Sequence, residues 1–310
     1  MKTTDFSYNL PLKYIAQTPI EPRDHSRLMV VHRNSNRVEH RIFFELSDYL
    51  HEGDVLVINR TRVIPARLFV KKPSGGKVEL LLLRKKSENI WEVLVGGRSI
   101  KKGLFLHHDS GFSVEVLDEL ENSRRIVEFS QPIEPDLDAI GKMPLPPYIH
   151  EPLNKPERYQ TVYADRSGSA AAPTAGLHFT KKLVDDLRAR RIQFAEITLH
   201  VGLDTFAPVK EDDPVNHKIH QEWCELDDAN ARIINSARQN DKKIIAVGTT
   251  TTRALETAAY QSGEPELKPF MGNTSLFILP GYQFKIVDGL ITNFHLPRST
   301  LIMMISAFAG

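Results

Sequence analysis

The spacing of apolar positions changes along this 310-residue chain. In the first segment, Leu28 to His32, Val38 to Arg41 and the strongly apolar run Asp54 to Ile58 predict strands, and a turn at 34–36 joins the first two. Between the second and third of these strands, the segment Phe43 to Leu50 is predicted to form a short helix. The first segment therefore mixes helical and extended elements.

Short β-rich runs recur from Pro65 to about Phe129, with turn residues such as Pro73-Ser74-Gly75-Gly76 between them. This regular spacing is typical of a small barrel or sandwich. The predicted strands are Ala66 to Val70, Lys77 to Leu83, Ile90 to Val95, Leu104 to His107, Phe112 to Leu117 and Arg125 to Phe129. We predict an inserted β-barrel domain, 65–144, within a discontinuous α/β domain, 1–64 and 145–310.

Helices and strands alternate beyond Thr180. That residue has the hydroxyl of an N-cap, and Leu183, Val184 and Leu187 follow at helical spacing. The alternation continues with a strand Gln193 to Val201, a helix from Asp227 or Asp228, a buried strand Lys243 to Val247 and a helix from about Arg253. It predicts an α/β domain with a buried mixed sheet.

Composition narrows the class of protein. The formal net charge is +1, so any nucleic-acid partner must be held by a local basic patch. Cys224 is the one cysteine, which excludes an intramolecular disulfide and a multi-cysteine zinc site. Met1 to Asn9 has no apolar signal region, and no apolar run approaches the roughly 18 residues of a membrane span. We expect a cytoplasmic protein with no membrane partner.

Small residues fill the stretch Ser169 to Thr180, in which Gly176 allows close backbone approach and His178 is the one titratable side chain. A small-residue loop that leads into a helix suits an anionic or dipolar ligand. A tightly packed turn with a buried histidine would produce the same sequence, so this motif alone leaves both interpretations open.

A second motif follows the strand Lys243 to Val247, where Gly248 and four threonines precede Arg253. Ligands of open α/β sheets bind at the carboxyl ends of strands. We predict that Gly248, Thr249, Thr250, Thr251 and Arg253 hold a carboxylate, phosphate or ribose there. The structural alternative is a set of capping threonines, with Arg253 paired to Glu256. The motif lacks the glycine pattern of dinucleotide and nucleoside-triphosphate loops.

Histidines stand beside several predicted strand ends and loops. His178, His200 and His295 could converge on one cleft and serve in acid–base catalysis, although each alone is more typical of a hydrogen-bonded core residue. The spacing of His217, His220 and Cys224 lacks a second pair of metal ligands, so we expect no metal site. Glu222, in the same stretch, is a candidate acceptor for a ribose hydroxyl.

Basic residues cluster in the first segment and at the entry to the β-rich region. The candidates for phosphate contact are Arg23, Arg27, Arg62, Arg67, Lys71 and Lys72. For any single one of them, an ordinary solvated cation is the simpler interpretation.

Several long motifs occur in one order along nearly the whole chain. They are Glu21 to Leu28, Thr61 to Arg67, Lys77 to Leu81, Met143 to Ile149, Arg158 to Tyr163, Gly168 to Thr180, His200 to Phe206, Gly248 to Glu256 and Ile291 to Ala309. In these motifs the sequence resembles the S-adenosylmethionine:tRNA ribosyltransferase-isomerase family of the queuosine pathway. It departs from the family at Asn59-Arg60, where we expect two asparagines.

The resemblance implies a reaction. The ribosyl part of S-adenosylmethionine would be transferred to 7-aminomethyl-7-deazaguanine at the tRNA wobble position and isomerised, giving epoxyqueuosine and releasing adenine and methionine. S-adenosylmethionine would be a consumed cosubstrate, with no metal or other cofactor, in a monomeric enzyme. The resemblance also implies an α/β domain with an inserted barrel, and a further segment beyond Gly310.

Two other classes of function remain open from the residues. One is a non-catalytic RNA-binding protein that uses the β domain as a platform. The other is an S-adenosylmethionine-dependent RNA methyltransferase. The sequence lacks a glycine-rich turn between a first strand and helix, which counts against this second class.

Overall fold

A computed structural model describes residues 1–33, 35, 37–121, 123–202, 208–219, 221–263 and 266–310. Its strands, in chain order, are β1 (Arg27–His32), β2 (Arg37–Ile42), β3 (Val55–Asn59), β4 (Thr61–Val63), β5 (Arg67–Lys71), β6 (Lys77–Lys85), β7 (Ile90–Gly96), β8 (Phe105–His107), β9 (Ser113–Glu119), β10 (Arg124–Phe129), β11 (Arg166–Ser169), β12 (Gln193–Leu199), β13 (Glu222–Leu226), β14 (Ile244–Val247), β15 (Phe270–Thr274) and β16 (Gly289–Ile291). The α-helices are α1 (Leu137–Ile140), α2 (Lys181–Ala189), α3 (Asp228–Gln239), α4 (Thr249–Ser262) and α5 (Thr300–Ala309).

The chain forms two compact units. The larger contains Met1–Thr61, Pro147–Arg166 and Ala172–Gly310, and the smaller contains Arg62–Pro146 and Ser167–Ala171. Short 3-10 helices add to both, among them Phe43–Tyr49 and Thr174–His178 in the larger unit. Within the described residues, no helix is both long and apolar enough to cross a bilayer.

A six-stranded mixed sheet organises the larger unit, in the order β15-β13-β12-β3-β14-β16. Four neighbouring strands run parallel, namely β12, β3, β14 and β16. On one side of them, β13 pairs antiparallel with β12, and β15 pairs antiparallel with β13. Every residue of β3 and β14 is buried, as expected for central strands covered on both faces. The predicted α/β fold with a buried mixed sheet is confirmed.

Polar caps define the helices that cover the sheet. The Thr180 hydroxyl accepts a hydrogen bond from the Leu183 amide at 3.1 Å, and Asp227 accepts one from the Asn230 amide at 2.9 Å. α2 buries Leu183, Val184 and Leu187. The two helix starts predicted from these capping residues are confirmed.

The predicted start of the next helix, at about Arg253, is wrong, because α4 already begins at Thr249. Threonine is a poor helix former, since its branched side chain loses freedom and its hydroxyl competes for the backbone. Here the hydroxyls of Thr251 and Thr252 donate back to the carbonyls of Val247 and Gly248, at 2.8 and 3.2 Å. All four threonines are also buried, so packing overrides their low helical propensity.

Glu256, in the middle of α4, is fully buried and organises the segment that leads into β16. Its carboxylate accepts hydrogen bonds from the backbone amides of Lys285, Ile286 and Val287, at 2.8, 3.1 and 3.1 Å, and from the Tyr282 hydroxyl at 3.1 Å. The alternative pairing of Arg253 with Glu256 is therefore not found.

The smaller unit contains a closed antiparallel barrel in the order β10-β7-β6-β5-β8-β9, which β9 closes by pairing with β10. Alternate residues point inwards: on β7, Trp91, Val93 and Val95 are buried. The predicted all-β barrel is confirmed, and each of its six predicted strands is present.

Candidate functional site

The candidate site lies at the carboxyl edge of the parallel strands. Because β12, β3, β14 and β16 run in one direction, the residues that follow them share one edge of the sheet. Those residues are His200, Arg60, Gly248 and Thr292, respectively. Open α/β sheets bind their ligands at this edge.

Gly248 connects β14 to α4 in a single residue. Its φ of 99° lies in the left-handed region, where a side chain would be strained. Its amide donates to the Ile291 carbonyl at 2.8 Å, and the amide of Thr252 donates to its carbonyl at 3.1 Å. The amides of Thr249, Thr250 and Thr251 have no acceptor within the described part of the chain, as is usual for a helix start. They form a donor site suited to an anion.

The threonine side chains divide into two pairs. Thr251 and Thr252 use their hydroxyls on backbone carbonyls, as described above. The predicted ligand role for the Thr251 side chain would therefore compete with that bond. Thr249 and Thr250 are also buried, and no such bond back to the backbone is seen for their hydroxyls among the described residues.

Arg253 and Glu222, both predicted to bind the ligand, form a buried ion pair with each other. The guanidinium Nη1 donates to Glu222 Oε2, and Nε donates to the Leu276 carbonyl at 3.0 Å. Glu222 Oε1 accepts the Gly202 amide at 3.1 Å. Arg253 Nη2 is buried and has no hydrogen-bond partner among the described residues. One nitrogen of the guanidinium, with its two N–H groups, is thus left for a ligand.

The small-residue loop packs beside this helix start. A Cβ placed on Gly248 would lie 3.9 Å from the Ala175 Cβ, so the two motifs of the sequence meet. A Cβ on Gly176 would overlap Tyr163 Oη and lie 2.9 Å from Thr161 Cγ2. The hydroxyls of Tyr163 and Thr161 are buried with no partner in the described residues. The sequence did not point to these two hydroxyls, because they become notable only through their position opposite Gly176 in the folded chain.

Two side chains form hydrogen bonds with the imidazole of His178. Its Nδ1 lies 2.8 Å from Ser26 Oγ, and its Nε2 lies 3.0 Å from Asn293 Nδ2. Since an amide nitrogen only donates, Nε2 is the acceptor and Nδ1 carries the proton. Burial lowers the pKa of the imidazole below its ordinary value, which favours this neutral form. Sequence reasoning missed Ser26 and Asn293, because residues so distant in sequence carry no local signal for His178.

His295 lies two residues beyond Asn293. Its Nε2 lies 2.8 Å from Thr292 Oγ1, and its carbonyl accepts a hydrogen bond from the Tyr8 hydroxyl. Burial lowers its pKa to about 4, so the ring is neutral at pH 7. The loop Thr292 to His295 thus carries one predicted histidine and contacts another.

His200 lies further along the edge. It packs edge-on against Trp223, with ring centroids 5.3 Å apart. β3 and β14 separate β12 from β16, and three strand spacings amount to about 14 Å. His178 and His295 are therefore grouped around Asn293, whereas His200 stands on the other side of β3. Most of the motif that follows it, 203–207, is outside the described residues.

The predicted phosphate-binding residues are distributed over both units. Within the larger unit, Arg23 donates to the Gln160 carbonyl at 2.9 Å and Arg27 is exposed on β1. Within the smaller, Arg62 is half-buried on β4, Arg67 pairs with Glu79 at 3.0 Å, Lys71 pairs with Asp109 at 2.7 Å and Lys72 donates to the Arg98 carbonyl. A phosphate would therefore compete with carboxylates at Arg67 and Lys71.

The histidine–cysteine stretch has other contacts. His217 Nδ1 lies 2.7 Å from Glu211 Oε2. Cys224 is buried on β13, and burial raises the pKa of its thiol to about 12. His220 lies outside the described residues.

Comparison with known proteins gives consistent results over the whole chain. A family model described as "Queuosine biosynthesis protein" matches residues 3–310. The S-adenosylmethionine:tRNA ribosyltransferase-isomerase of Thermotoga maritima is 49% identical over 311 residues, which cover 100% of this chain and 92% of that protein. The protein of the same name from Caldanaerobacter subterraneus subsp. tengcongensis is 53% identical over 315 residues, with the same coverage. The crystal structure of S-adenosylmethionine tRNA ribosyltransferase from Thermotoga maritima has a TM-score of 0.54 and 39% identity, covering 99% of this chain and 90% of that one.

The buried ion pair predicts a large effect on stability. Arg253→Ala would leave the Glu222 carboxylate buried without its cation, so the free energy of unfolding should fall by about 3–5 kcal/mol. Adding Glu222→Gln should restore part of this loss. Urea denaturation measures both, and Arg232→Ala, which breaks an exposed pair with Asp228, should cost under about 1 kcal/mol. A loss at Arg253 no larger than this control would contradict the prediction.

The low pKa of His295 predicts a loss of stability in acid. Between about pH 6.5 and 4 the unfolded chain binds a proton at this residue and the folded chain does not. The free energy of unfolding should therefore fall by up to about 3 kcal/mol as the pH drops through this window. His295→Gln should flatten the dependence, as followed by thermal unfolding across pH. The exposed His40→Gln is the control, and equal slopes in all three proteins would refute the assignment.

Proposed function

This chain belongs to the S-adenosylmethionine:tRNA ribosyltransferase-isomerase family of queuosine biosynthesis, and we propose that it performs the family's reaction in full. The protein is a transferase. The proposed substrates are S-adenosylmethionine and a tRNA that carries 7-aminomethyl-7-deazaguanine at the wobble position. The proposed products are epoxyqueuosine-tRNA, adenine and methionine. The observation that carries this proposal is identity near 50% across the whole chain and 92% of each relative.

The helix start at Gly248 suits the methionine end of the cosubstrate. The methionine carboxylate would accept hydrogen bonds from the amides of Thr249, Thr250 and Thr251, for which the described residues offer no acceptor. Nη2 of Arg253, which has no hydrogen-bond partner in the described part of the chain, would add a charged donor, while Glu222 keeps the guanidinium in place. Burial around these groups strengthens the attraction, because few waters screen it.

The chemistry requires proton transfer in two places. The positive sulfonium acidifies the neighbouring ribose carbon, from which a base removes a proton. Departing adenine must in turn receive a proton. Neutral His178 offers an acceptor nitrogen once Asn293 releases it, and neutral His295 lies two residues beyond Asn293. We propose that these two, rather than the more distant His200, act in the proton transfers.

S-adenosylmethionine would be consumed, since adenine and methionine leave as separate products, and we propose no further cofactor. Arg23, Arg27, Arg62, Arg67, Lys71 and Lys72 would contact tRNA phosphates, with Glu79 and Asp109 displaced from Arg67 and Lys71. We place the enzyme in the cytoplasm, where tRNA is modified, and expect it to act as a monomer.

Product analysis tests the proposed function. The protein is incubated with S-adenosylmethionine and tRNA carrying 7-aminomethyl-7-deazaguanine, and small molecules are separated by chromatography. We expect adenine and methionine in equal amounts, one of each per tRNA modified. S-adenosylhomocysteine instead of adenine would indicate a methyltransferase. Bound tRNA with S-adenosylmethionine unchanged would indicate a non-catalytic binder.

The proposed base predicts a specific loss of rate. His178→Gln should lower kcat for adenine release by about 10²- to 10⁴-fold, because the acceptor nitrogen is lost. Thermal unfolding of the same variant separates chemistry from folding. His217→Gln, whose ring contacts Glu211 and Phe277, is the matched control and should keep kcat. If His178→Gln retains near-wild-type kcat, the base must be another group.

A further inference from the structure

Phe294 combines strong exposure with a position inside the candidate site. The residue is 81% exposed, although phenylalanine is normally among the more buried residue types. It lies in the loop that follows β16 at the carboxyl edge of the sheet. We propose that the Phe294 ring is a stacking surface for a purine-type base, an inference that rests on the proposed function.

The loop that carries Phe294 is anchored on both sides of the ring. Before it, the Asn293 amide donates to His178 Nε2 at 3.0 Å. After it, His295 contacts Thr292 through its ring and Tyr8 through its carbonyl. Asn293 is thus held through its side chain, and His295 through both its side chain and its carbonyl. The ring is therefore presented to solvent by a braced segment, and little ordering would be needed on binding.

The loop also lies where the base of a nucleoside ligand would be expected if the other end of the ligand carried a carboxylate at the start of α4. Ile291, the last residue of β16, accepts the Gly248 amide at 2.8 Å, so the loop starts beside the anion-binding end of α4. A ligand with a carboxylate at that helix end can reach the neighbouring loop with its base. An aromatic ring stacks on any purine, since every base has a π-face.

Two bases in the proposed reaction have this chemistry: the adenine of S-adenosylmethionine and the deazaguanine of the tRNA. The kinetic parameters separate them. Loss of stacking on adenine raises KM or Kd for S-adenosylmethionine, and loss of stacking on deazaguanine raises the value for tRNA.

The test compares Phe294→Leu, which keeps an apolar side chain without a π-face, with Phe294→Tyr, which keeps the ring. We expect Phe294→Leu to lose about 5- to 150-fold in kcat/KM for one of the two substrates. Phe294→Tyr should stay within about threefold of wild type, and Tm should be unchanged in both because the ring is exposed. Tyr260→Leu is the matched control, since Tyr260 is an aromatic 68% exposed near the other end of α4.

Calorimetric Kd values for S-adenosylmethionine and for the tRNA, measured on the same variants, keep the test independent of turnover. Retention of both kcat/KM and both Kd values within twofold in Phe294→Leu would overturn the inference, as would a loss that Phe294→Tyr shares. A wild-type protein that releases no adenine refutes the proposed function instead. In that case the Kd values alone decide whether Phe294 binds a base.

Discussion

The candidate site depends on one backbone constraint, the passage from β14 to α4 through Gly248 alone. A φ of 99° and a ψ of 151° turn the chain so that the helix starts directly beyond a buried strand. The first three amides of α4 then have no acceptor among the described residues, and the Gly248 amide ties the carboxyl edge of the sheet to Ile291 on β16. A side chain at Gly248 would be strained, so both the donor site and the loop of His295 would shift with it.

Two buried carboxylates keep that arrangement in place. Glu222 on β13 forms a buried ion pair with Arg253 of α4, which fixes the position of the guanidinium. Glu256, one turn later on α4, holds the amides of Lys285 to Val287 and so aligns the chain entering β16. Each carboxylate accepts hydrogen bonds from more than one donor, which compensates the cost of burying its charge. α4 is consequently the element that joins the antiparallel side of the sheet to the loop with Asn293 and Phe294.

Sequence reasoning succeeded where the signal is local. The helices that follow Thr180 and Asp227 could be predicted because a capping residue stands directly before apolar residues at helical spacing. The change from short β-rich runs to alternating helices and strands was enough to separate the barrel from the α/β domain. Sequence reasoning failed at the start of α4, where burial outweighs the low helical propensity of threonine. The pairing of Arg253 with Glu222, the clasp of Ser26 and Asn293 on His178, and the exposure of Phe294 are tertiary, and no spacing in the chain encodes them.

We propose that the cosubstrate S-adenosylmethionine binds at the start of α4. A crystal structure of the protein with S-adenosylmethionine bound tests it most directly. We expect the methionine carboxylate to lie within about 3.2 Å of the amides of Thr249 to Thr251 and of Arg253 Nη2, with the Arg253–Glu222 ion pair intact. A cosubstrate bound elsewhere, with those amides still free and Arg253 Nη2 still without a partner, would contradict it.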